Sequence, residues 1–160
     1  MTESPEVERW LRRSVALATE NVTSGAGGPF GAVITKGGER VAEGVNLVTA
    51  SCDPTAHAEM TAIRRASAAL KSHDLSGCEI FSSCEPCPMC LGAIFWARLD
   101  RVWYAATQQQ AADAGFDDSF FYRQMQIAPG ERIIPMVCAL AECANEPFLA
   151  WRQFSARVPY

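Results

Sequence analysis

Apolar and polar positions along the chain follow two periods, and each predicts a kind of element. After Ser4 and Pro5, the residues Val7, Trp10, Leu11, Val15 and Ala18 recur at helical spacing, so an amphipathic helix is predicted over 5–23. Gly25, Gly27 and Gly28 end it. Apolar runs over 30–35 and 40–48 flank Gly37-Gly38, the pattern of a β-hairpin. Asp53, Pro54 and Thr55 supply a helix start, and the alanine-rich stretch to Leu70 supplies its body.

The second half alternates. A strand over 78–83, a helix over 88–98 and a strand over 101–106 have short connections, which predicts a right-handed parallel βαβ unit. Residues 108–125 read both ways, with an alanine-rich start followed by the aromatic cluster Phe116, Phe120, Phe121 and Tyr122. A last strand is predicted over 133–140, and Pro147 opens a C-terminal helix containing Phe148, Trp151 and Phe154. The sum is an α/β protein, a three-layer α/β/α domain with a mixed five-stranded sheet.

Composition narrows this picture. At 160 residues, 49% of them hydrophobic, the chain has the length of one domain spanning 1–160 and enough apolar side chains for one core. A formal charge of -4 argues against a protein built to hold phosphate backbones, so no nucleic-acid partner is expected. Seven cysteines cannot all pair within one chain, and the acidic start MTESPEVERW does not resemble an export signal. No apolar stretch is long enough for a membrane span. The expectation is a cytoplasmic protein with reduced thiols and no membrane association.

Candidate chemistry lies in two short segments. His57 and Glu59 fall at the start of the second predicted helix, and Cys87 and Cys90 fall after Pro86 on the first turn of the next. Thiols at i and i+3 share a helix face, and the positive end of the helix favours their thiolates. With His57 they make three nitrogen and sulfur donors, which suits Zn²⁺ with one tetrahedral position open. Zinc lowers the pKa of a bound water from about 15.7 to about 7, and Glu59, outside the metal shell, is placed to carry protons. The order H-x-E then P-C-x-x-C matches the signature of zinc nucleobase deaminases. Cys84 extends the cysteine series and leaves open a closed structural zinc or an iron–sulfur site, but neither accounts for Glu59.

The stretches GGPFGAVI (27–34), DPTAHAE (53–59), SCEPCPMCLGAIFWAR (83–98) and AGFDDSFFY (114–122), with a terminal Tyr160, resemble the bacterial guanine deaminases of the cytidine-deaminase superfamily. That resemblance implies hydrolytic deamination of guanine to xanthine and ammonia, with one Zn²⁺ per subunit on His57, Cys87 and Cys90. It implies Glu59 and Asp118 as catalytic groups. Phe30, Asn46, Ala58, Trp96 and Tyr160 would contact the base, the aromatics by stacking and Asn46 through its donor and acceptor. Guanosine deaminases of plants are similar in the same segments, so the nucleoside is an alternative substrate. A cytosine, cytidine or tRNA adenosine deaminase shares the zinc core, and a structural zinc module is the non-enzymatic alternative. The resemblance also implies a homodimer that exchanges residues 141–160, with Tyr160 closing the neighbour's site; the bland alternative is a tail packed on its own sheet.

Overall fold

Four strands, β1 (Gly31–Lys36), β2 (Glu39–Val45), β3 (Cys78–Cys84) and β4 (Arg101–Ala106), make one mixed sheet in the order β2-β1-β3-β4. The computed structural model describes residues 4–160, in two compact units that divide after Asp118. β1 runs antiparallel to both β2 and β3, and β3 runs parallel to β4. The hairpin turns at Gly37 and Gly38, with φ of 58° and 82°, in the left-handed region that glycine enters without a Cβ penalty.

Alternation along the strands decides what each face buries. Val33 and Phe81 point to one side, where they pack with Val7, Trp10 and Leu17 of α1 (Pro5–Thr23). Ala32, Ile34 and Ile80 point to the other, packing with Ala58, Ala62 and Ala66 of α3 (Ala58–Leu70) and Ile94 of α4 (Pro88–Trp96). Helices on both faces make the three layers that the sequence predicts. Each fully buried Ile or Phe contributes about 1.5–3 kcal/mol, so the central strands carry much of the stability. Two glycines let the layers close. A Cβ at Gly31 would strike Ser14 and Ala18 of α1, and one at Gly44 would strike the backbone of Ala58 and Ala62.

Ser4 caps α1 as expected, its hydroxyl accepting from the Val7 N–H at 3.3 Å. The second strand of the hairpin is shorter than predicted, because Val48–Ser51 forms a helical turn, α2. The ambiguous stretch becomes α5 (Gln108–Asp113), held by a capping box between Thr107 and Gln110, and then α6 (Ser119–Gln126) in the second unit.

That second unit also holds a 3-10 turn over Pro129–Glu131 and the helix α7 (Glu146–Gln153), close to the C-terminal helix expected from Pro147. The expected strand over 133–140 is absent among the described residues, so the sheet has four strands rather than five. Pro135 removes a ladder donor from the middle of the run, and the Met136 N–H instead donates to Pro129 O at 2.9 Å. Ile133, Ile134, Val137 and Leu140 are between 68% and 82% exposed. Their apolar character signals a need for cover and does not specify a strand.

Candidate active site

The segment before α3 is a tight turn, and it sets the direction of His57. Asp53 does not cap the helix as expected; its Oδ1 accepts from the N–H and hydroxyl of Thr55, at 2.8 and 2.7 Å, and closes an Asx turn. His57 occupies the N-cap position, and the helix begins at Ala58. Glu59 therefore lies in the first helical turn, pointing inward and only 4% exposed. The Leu47 N–H donates to Ala56 O at 2.9 Å, which brings the end of the β2 strand beside this turn.

Pro86 ends the β3 extension, and the next helix starts at Pro88 as predicted and ends at Trp96, two residues short of the predicted 98. Cys87 is its N-cap, Pro88 fills the first position and Cys90 falls in the first turn. His57 Nδ1 lies 3.6 Å from Cys87 Sγ and 3.5 Å from Cys90 Sγ. All three donors lie within 4.8 Å of one another, and among the described residues this is the cluster able to hold a metal ion. Metal–ligand bonds of about 2.0–2.3 Å in a tetrahedron place donors roughly 3.5 Å apart, so the set fits Zn²⁺ without rearrangement.

Without a metal, the three donors share their protons unequally. A hydrogen bond with Cys90 is the main influence pulling the Cys87 thiol down to about 4; burial opposes it, and His57 assists. His57 is raised, chiefly by its bond to Cys87 and against the cost of burial. Cys90 is held in the thiol form by the same bond and by burial. Cys84 stands outside the donor set: burial first, and then the Glu59 carboxylate, push its thiol up to about 11, and its Sγ lies 3.8 Å from Thr107 O. It behaves as a packed small side chain.

Glu59 faces this cluster. Its Oε2 lies 3.4 Å from Cys90 Sγ, and its Oε1 accepts from the Ser82 hydroxyl at 2.9 Å. Burial raises its pKa, while bonds from its own backbone and from Ser82 act the other way. Burial that disfavours the charged carboxylate makes Glu59 readier to hold a proton than an exposed glutamate, as a proton carrier must.

The remaining predicted residues are not all brought together. Phe30 O accepts from the Asn46 N–H at 3.1 Å, which ties the start of β1 to the end of β2, and the Asn46 Oδ1 accepts from the Val48 N–H at 3.3 Å. Ala58 is fully buried. Asp118 accepts from Gln108 Nε2, Gln108 N–H donates to Glu85 Oε2 at 3.0 Å, and Phe116 meets Phe30 edge-on at 5.0 Å. These contacts bring the Asp118 loop toward Phe30 at the carboxyl ends of β3 and β4, where open α/β sheets place ligands. Trp96 sits at the last position of α4, about 13 Å along the axis from Cys87, and is 69% exposed. Tyr160 is exposed in the second unit. Sequence reasoning missed Ser82, Ser83, whose hydroxyl accepts from the Gly31 N–H at 3.0 Å, and Gln108. Serine and glutamine at these positions carry no motif, and only their contacts mark them.

The chain belongs to the zinc-dependent deaminases: the family model for the cytidine and deoxycytidylate deaminase zinc-binding region matches residues 4–106, which include His57, Glu59, Cys87 and Cys90. It is 53% identical over 153 residues to guanine deaminase of Bacillus subtilis, covering 96% of this chain and 98% of that one. The crystal structure of the Bacillus subtilis enzyme matches with a TM-score of 0.94 over the same shares. A guanine deaminase structure from Nitrosomonas europaea matches with a TM-score of 0.67 at 33% identity, over 74% of this chain and 67% of that one. A tRNA-specific adenosine deaminase of Haemophilus influenzae is 30% identical over 129 residues, 77% of this chain and 74% of its own. No described helix is long and apolar enough to cross a membrane.

Proposed function

We propose that this chain catalyses the hydrolytic deamination of guanine: the C2–N bond breaks, a C2–O bond forms from water, and xanthine and ammonia leave. The observation that carries the substrate is coverage. Similarity to guanine deaminase extends over 96% of the chain, whereas the tRNA-specific relative covers 77%. The part beyond residue 106, which the shared zinc region does not include, is thus also guanine-deaminase-like.

Contacts support the roles of the zinc donors, Glu59 and Ser82, and the likeness to guanine deaminases supports those of the base-binding residues and Asp118. His57, Cys87 and Cys90 hold Zn²⁺, which when bound acidifies a water at neutral pH. Glu59 accepts one proton of the water and delivers it to the ring nitrogen, then takes the remaining proton from the new C2 hydroxyl and delivers it to the amine, which leaves as ammonia; its burial beside Cys90 supports this role. Ser82 holds one carboxylate oxygen so that the other faces the cluster. Asp118 accepts from the amine. Phe30 and Trp96 offer stacking surfaces, Ala58 lines the floor, and Asn46 reads the purine edge.

The same reading includes a homodimer. The exposed Phe148, Leu149, Phe154, Val158 and Tyr160 form an apolar tail that a solvent-facing monomer does not favour. Exchange of residues 141–160 between two copies covers it and sets Tyr160 of each over the other's pocket. Seven free thiols accord with a reducing cytoplasm.

Ammonia release from guanine, guanosine, adenine, cytosine and cytidine, with zinc stoichiometry on the same sample, tests the proposal. Guanine should turn over with one zinc per chain. Turnover of guanosine without guanine would shift the substrate to the nucleoside, and zinc without turnover on any base would leave a structural module.

A further inference from the structure

We infer that Asn21 is a positioning residue for base recognition, clamping the two backbone segments that carry Phe30 and Asn46. It lies near the end of α1 and is 5% exposed. Its Nδ2 donates to Gly28 O and to Asn46 O, each at 2.9 Å, so both amide hydrogens are used on the two sides of one loop pair. Its backbone carbonyl accepts from the Ala26 and Gly27 N–H groups at 3.0 and 3.3 Å, and from the Ser24 hydroxyl at 3.2 Å. One residue therefore ties the helix end, the glycine loop and the end of β2 together.

The packing leaves this loop little freedom. A Cβ at Gly27 would strike Asn46 O and stand 2.9 Å from Asn21 Nδ2, while one at Gly28 would touch both the Asn46 side chain and Phe30. Asn46 in turn donates its N–H to Phe30 O at 3.1 Å. Asn21 holds the far side of that pair. A buried amide with both hydrogens spent on carbonyls has no counterpart among isosteres: aspartate keeps the shape and places an acceptor against two acceptors.

The inference rests on the proposed reading of Asn46 as the group that recognises the purine edge. N21D should raise KM for guanine about tenfold or more, the scale of one lost buried hydrogen bond to the reading group, with kcat and zinc stoichiometry near those of the parent. Asn21→Ser, which keeps a single donor, should fall between. The decisive readout is a cycle with Asn46→Ala. If Asn21 acts through Asn46, N21D should add little to KM once Asn46 is removed. Additive effects, or a parental KM in N21D, would overturn the inference while N46A alone still raises KM. A parental KM in N46A would instead remove the reading of Asn46, and this inference with it. Loss of zinc and of the native melting transition in both Asn21 variants would make the residue structural and also overturn it.

Discussion

Ser82 donates its hydroxyl hydrogen to Glu59 Oε1 at 2.9 Å, and both side chains are buried. Ser82 belongs to β3 and Glu59 to α3, so the bond joins the sheet to the helix at the point where proton transfer is proposed. Removing the hydroxyl leaves a buried carboxylate oxygen short of a donor, which costs about 1–3 kcal/mol. Ser82→Ala should lower the melting temperature and reduce kcat by about tenfold or more, and Ser82→Thr should restore most of the activity. Equal kcat in all three proteins would show that Glu59 needs no such anchor.

Glu59→Gln keeps size and removes the proton carrier. General acid–base groups contribute about 10²–10⁴ in rate, so ammonia release should fall by at least that factor while zinc remains at the parental level. Turnover within tenfold of the parent would exclude Glu59 from proton transfer.

Chelation should abolish activity without unfolding the sheet. The two core clusters on either side of the strands are closed by apolar side chains that include neither His57 nor Cys87. Far-UV circular dichroism at room temperature should persist, the melting temperature should drop, and added Zn²⁺ should restore turnover. Loss of the dichroism signal with the metal would assign zinc a structural role.

A separate pH dependence sits on the other side of the sheet. Hydrogen bonds from Arg13, and then Arg40, hold the Glu43 carboxyl down at about 2 against the opposing cost of burial. A carboxyl depressed on folding stabilises the protein above its unfolded value of 4.5 and loses that contribution as pH falls toward 2. Arg40 is half exposed, so screening reduces the effect to about 1–2 kcal/mol. Glu43→Gln should be less stable than the parent to urea at pH 7, and the gap should narrow at pH 3. A gap independent of pH would refute the ion-pair account.

Gly44 faces the backbone of Ala58 and Ala62, the turn of α3 that presents His57 and Glu59. Gly44→Val should destabilise by about 1–3 kcal/mol or more and lower activity at temperatures where the protein is still folded, since the helix must move to admit the side chain. An unchanged melting temperature would mean that the layers are not in contact there.

Much of the frame could be read locally. The helix after Ser4, the hairpin at Gly37-Gly38 and the parallel unit from Cys78 to Ala106 follow from period and turn residues, which act between near neighbours in the chain. Elements that depend on distant partners were read less well. Asp53 looks like a helix cap because Asx turns and N-caps use the same side chain, and the run from Ile133 looks like a strand because apolar composition does not say what will cover it. The candidate metal donors His57, Cys87 and Cys90 were legible from their order along the chain, since zinc deaminase chemistry demands particular donors beside a carboxylate. Ser82, Asn21 and Gln108 were not, because a serine or an amide acquires its role only from the group that folding places opposite it. Sequence alone thus determined which atoms are available for the chemistry; the tertiary structure decided which of them face one another, because burial and hydrogen bonding act across space and not along the chain.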